Sequence, residues 1–91
     1  MAQRKRSDPT EDRWNEAMSV ERLSQAHDIV GRLMPRPDAA SEVWMDFYRR
    51  SVRVYERVAE VDRGHHHEAL YWAGRERVKA ELLASSDRND E

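Results

Sequence analysis

The chain has 91 residues, 38% of them apolar and 37% charged, with 16 basic and 18 acidic side chains and a formal charge of -2. One domain fits that length, and a domain this small buries a modest share of its surface, which disfavours a deep enzyme cleft. The near balance of charge leaves no global field for nucleic acid or anionic lipid, no apolar run approaches the ~18 residues of a bilayer span, and without cysteine there are no disulfides or thiolate sites.

Residues 1–7 carry Arg4, Lys5 and Arg6 with no apolar periodicity and read as a disordered basic arm. They lack the hydrophobic stretch of a secretory signal, so the expected location is cytoplasmic. Helical signals begin at Asp8, which can cap, with Pro9 suited to the first helical position and Glu11 to an acidic first turn. An apolar stripe at three- and four-residue spacing follows through Trp14, Ala17 and Met18, then Leu23, Ala26, Val30, Leu33 and Met34. The step of five from Met18 to Leu23 breaks the phase, and Ser19 is placed to cap a new helix. Residues 9–34 are therefore one bent helix or, the favoured reading, a short helix followed by a longer one. Pro35 and Pro37 end the segment, because each lacks an N–H and pushes its predecessor out of helical geometry.

Asp38 or Ser41 is expected to cap the next helix, over 41–63, whose stripe runs Trp44, Phe47, Tyr48, Ser51, Tyr55, Val58 and Asp62. A last segment, 65–84, carries Ala69, Trp72, Ala73, Ala80 and Leu83 at the same period, and an acidic tail over 85–91 is expected to be disordered. Gly64 separates these two. As a left-handed cap it predicts a hairpin. Yet the phase runs unbroken across it, and a mid-helix glycine costs only about 1 kcal/mol, so one fused helix from 41 to 84 in an oligomer is the alternative. The expected fold is all-α: a bundle of three main helices in one domain spanning 8–84.

His65, His66 and His67 follow Gly64 directly. Neighbouring helical residues point ~100° apart, so the three cannot face one ion together. Asp62, His65 and His66 share a face if the helix continues, and with His27, the remaining histidine, they make a candidate zinc-type set. A glycine, polar residues and Glu68 also describe an ordinary helix start, and that structural reading is the favoured one; no cofactor is expected. Arg49, Arg53 and Arg57 recur every four residues, with Arg50 beside them, as a basic ridge. The segment 42–63 also carries as many acidic as basic residues, so an internally paired face or a contact for an acidic partner outranks nucleic acid. Trp14, Trp44 and Trp72 with three tyrosines are a heavy aromatic load, which makes Tyr71 and Trp72 candidate partner anchors.

The stretch from Val54 to Glu81, VYERVAEVDRGHHHEALYWAGRERVKAE, resembles a family of short actinobacterial proteins without an established activity, GHHHEALYWAG being its most specific part. Such proteins are often encoded near helix-turn-helix regulators, so the resemblance implies a regulatory or accessory role and a transcriptional regulator as partner. It carries over no functional residue. No catalytic constellation is present, and the expected function is a non-enzymatic, self-associating helical module that binds a protein. The alternatives are a divalent-metal protein using the histidine cluster and an accessory nucleic-acid binder.

Overall fold

A computed structural model of the chain describes residues 9–89. Among these there are four α-helices and no strand: α1 (Pro9–Ala17), α2 (Leu23–Arg32), α3 (Ser41–Val61) and α4 (His66–Asn89), with a single 3-10 turn (Arg63–His65) between the last two. The expected basic arm, the Asp8 cap and the last two residues of the acidic tail lie outside the described residues. None of the described helices is long and apolar enough to cross a membrane.

The phase break near Met18 is a true interruption. α1 ends where the Ser19 amide and hydroxyl both donate to the Glu16 carbonyl, at 2.9 and 2.7 Å. Ser19 thus closes the first helix; it does not cap the second, which is the role the sequence suggested. The residue before α2 is Arg22, which offers no side-chain cap. The missing acceptor comes from far along the chain: Asp62 accepts from the Leu23 amide at 2.9 Å, across 39 residues. A similar correction applies to α3. It begins after Ala40 with no side-chain cap from either Asp38 or Ser41, and the amides of Val43 and Trp44 both find the Ala40 carbonyl.

Gly64 does not adopt the left-handed conformation expected of it, since no glycine here has positive φ. The reversal is made instead by Asp62, whose backbone leaves the helical region at φ -103 and ψ 74, and by the 3-10 turn closed by the His65 amide on the Asp62 carbonyl at 2.9 Å. The result is a hairpin, not the fused helix. α4 then runs on through Ser85 and Ser86 to Asn89, beyond its expected end at 84.

Packing follows from which faces are apolar. The buried side of α3 carries Phe47, Val54, Tyr55, Val58 and Ala59, and α4 meets it with Ala69, Ala73 and Ala80, whose small side chains let the two helix axes come close. α1 and α2 cover one side of this hairpin with Trp14, Ala17, Ala26, Ile29 and Val30. Polar ties hold them there. Arg50 donates to Glu11 at 2.6 Å and to Asp46 at 3.1 Å, Arg57 donates to the Val20 carbonyl in the α1–α2 linker, and the Trp44 indole donates to the Arg36 carbonyl at 3.1 Å.

Candidate functional surfaces

The histidine run sits where α2, α3 and α4 meet, and each ring has its own task. His66 Nδ1 lies 2.7 Å from the Ala59 carbonyl, and because a carbonyl only accepts, that nitrogen must carry the proton. His66 therefore satisfies an otherwise open carbonyl in the last turn of α3. Arg63 also approaches the same nitrogen at 3.3 Å, but two donors cannot bond each other. His65 turns the other way and donates from Nδ1 to Asp62 at 2.9 Å, onto the same carboxylate oxygen that caps α2. His67 is exposed, its ring edge-to-face with that of His66 at 5.2 Å.

A cleft of about 600 Å³ opens beside this junction, bordered by Leu23, His27, Asp62, His65, Glu68 and Trp72 among others. His27 stands within it between Tyr55 and Trp72, its Nδ1 2.9 Å from the Tyr55 hydroxyl and its ring edge-on to the indole at 4.8 Å. Burial pushes His27 below the usual imidazole range, with Glu68 opposing the shift, so it is neutral at pH 7. Burial also pushes Tyr55 up to about 12, aided by the negative charge of Glu76, so its hydroxyl stays protonated. Of the four residues expected as metal ligands, the structure joins Asp62 and His65, places His27 across the cleft on Tyr55, and turns His66 away to Ala59. Among the described residues no group of three or more His, Cys, Asp or Glu is placed to hold a metal ion.

The Asp62–His65 pair has a pH signature. The Leu23 amide first, and then His65, hold the Asp62 carboxyl below its ordinary value, while the bond to Asp62 raises His65. A lowered acid contributes stability above its unfolded value, lost as pH falls through the folded one; a raised imidazole contributes below about 6.5, lost as pH rises through the folded value. The junction is therefore firmest in the mildly acidic range between them. Asp62→Asn should bring the NMR titration midpoint of His65 back toward 6.5 or so and flatten the decline in melting temperature from pH 6 to pH 8. An unchanged His65 midpoint in that variant would dissolve the pairing.

The arginine ridge divides into used and unused members. Arg57 is spent on the Val20 carbonyl, Arg50 on Glu11 and Asp46, Arg63 on Glu60 at 3.7 Å, and Arg77 on Glu56. Arg49 and Arg53, one turn apart and exposed, have no acceptor among the described residues. The two aromatic anchors divide as well. Trp72 packs against the core edge beneath Arg75, whose guanidinium lies 4.8 Å over its ring, whereas Tyr71 is 61% exposed.

Sequence reasoning missed the rest of that outer surface. Val78 and Leu82 are 53 and 66% exposed, and with Tyr71 they make a second apolar stripe on the side of α4 away from its alanines. The signal was present in the spacing of 71, 78 and 82, but fitting one stripe per helix hides another. Glu76 is a further surprise: it is buried on the inner side of α4, with Lys79 at 3.6 Å. These features define a small all-helical protein built on an α3–α4 hairpin, with polar machinery at its turn and unpartnered surface on its outer helices. No family model, no curated protein and no solved structure matches the chain.

Proposed function

We propose that the chain is a non-enzymatic, cytoplasmic interaction module of regulatory or accessory type, which docks an apolar helix face of a protein partner on the outer stripe of α4. The observation that carries this reading is the two-sided character of that helix. Its inner face already packs on α3 through Ala69, Ala73 and Ala80, so Tyr71, Val78 and Leu82 add nothing to the core, yet they keep three large apolar groups in water on one line. Large exposed apolar groups aligned on one helix face point to an interaction site, and helical spacing at i, i+7 and i+11 suits a partner helix laid alongside.

The test is site-specific photo-crosslinking in cells from a benzophenone side chain at position 71. A discrete adduct is expected, and it should vanish in a V78D/L82D background whose melting temperature is unchanged, because both positions are exposed. An adduct that survives the double substitution, or none beyond that of a control position on α2, sinks the reading.

A further inference from the structure

Along α3 from Arg49 to Glu60 the exposed charged residues are Arg49, Arg53, Glu56 and Glu60, at successive spacings of four, three and four. That spacing keeps them on one outward stripe, the seam geometry of two helices lying side by side. Their signs run plus, plus, minus, minus. Read backwards, every sign is replaced by its opposite: Arg49 exchanges with Glu60 and Arg53 with Glu56, each pair equidistant from the point midway between residues 54 and 55. A copy of α3 laid antiparallel about that point meets an opposite charge at all four positions.

Within one chain this stripe is incompletely satisfied. Asp46 is drawn to Arg50 and Glu56 to Arg77, which leaves Arg49 and Arg53 without an acceptor among the described residues, and Glu60 has only the longer contact to Arg63. Beside the stripe, between α3 and α4, lies a groove of about 460 Å³ floored by Val52, Ala80 and Ala84 and rimmed by Arg49, Arg53, Glu56, Arg77 and Glu81, while on their other side Arg49 and Arg53 border α1. The small floor residues let a second helical layer approach, and Val52 and Ala80 are already nearly buried.

We propose that a second copy of this chain docks on this face, α3 antiparallel to α3, about a two-fold axis passing between residues 54 and 55. The interface is isologous, so each ion pair occurs twice. Exposed ion pairs are individually weak and screened by salt, so they fix register and orientation more than affinity. A weak, salt-sensitive homodimer follows. The inference deepens the reading of the chain as an interaction module but uses a different face from the outer stripe of α4.

Sedimentation equilibrium of the full chain, at low and high salt, tests it. The wild type should dimerise at low salt and dissociate as salt rises. R49E and E60R each oppose like charges at both symmetry-related positions and should weaken dimerisation about tenfold or more, with melting curves unchanged because both positions are exposed. The two variants mixed should form a heterodimer, since the introduced carboxylate meets the introduced guanidinium and native Arg49 meets native Glu60; R49E/E60R in one chain should restore the homodimer. A wild type that stays monomeric at low salt overturns the proposal, as does a mixture that fails to associate. A dimer insensitive to R49E but lost in V78D/L82D would also overturn it, and would assign self-association to α4. The crosslink from position 71 reads the α4 surface independently, so either idea can fail without the other.

Discussion

Phe47→Ala should cost about 3–5 kcal/mol, the range for removing a buried aromatic ring. Phe47 is almost fully buried and holds the aromatic cluster together, with ring centres 6.0 Å from Trp14, 5.7 Å from Trp44 and 5.5 Å from Tyr48. A chain of this size has a net stability of roughly 5–10 kcal/mol, so the loss is a large share of the whole. It falls first on α1. That helix has nine residues, too few to persist alone in water, and its main apolar anchor, Trp14, rests on the Phe47 ring. In urea titrations the midpoint should drop sharply, and amide exchange over Pro9–Ala17 should accelerate more than over α3. Phe47→Leu keeps most of the volume and should cost less than half as much. A Phe47→Ala variant within 1 kcal/mol or so of wild type would place the stabilising core elsewhere than this cluster.

The aromatic stripe behind that prediction is legible in the sequence, as is the break before Leu23, because both are matters of periodicity and a helix cannot absorb a five-residue step without losing its face. Caps are less legible. Ser19 and Ser41 are suitable residue types at suitable places, but a hydroxyl chooses among several nearby backbone groups, and Ser19 chose the Glu16 carbonyl behind it. The acceptor that α2 uses, Asp62, is 39 residues from Leu23, beyond any local rule. The same residue, through its backbone, decides the Gly64 question. Glycine there is compatible with a turn or a continuous helix, and it is the departure of Asp62 from helical geometry that makes the hairpin. Helical geometry did predict that the three histidines would separate, and they do, though His66 parts from His65 because the helix stops. Which arginines remain free could not be read from period alone, since the acceptors that engage Arg57 and Arg50 lie on other elements.

The hairpin seam supplies the other large effect. Ala69 and Ala73 are fully enclosed opposite the α3 face that carries Val54, Val58 and Ala59. Leucine matches alanine closely in helix propensity, so Ala73→Leu should leave α4 intrinsically helical and act only through packing. The added isobutyl group has no space at the seam. The helices must separate or neighbouring side chains must leave their preferred rotamers, at about 1–3 kcal/mol and occasionally more, which in a domain of this length lowers the melting temperature by at least ~5 °C. Separation would also lengthen the His66 bond to the Ala59 carbonyl, now 2.7 Å, because the two groups sit on opposite sides of the same seam. The control is Leu82→Ala on the outer face of α4, where the side chain is 66% exposed and the change should stay within roughly 0.5 kcal/mol. If Ala73→Leu proves neutral while Leu82→Ala destabilises, the burial pattern of α4 is reversed, and its outer stripe, not the row of alanines, is the face that packs.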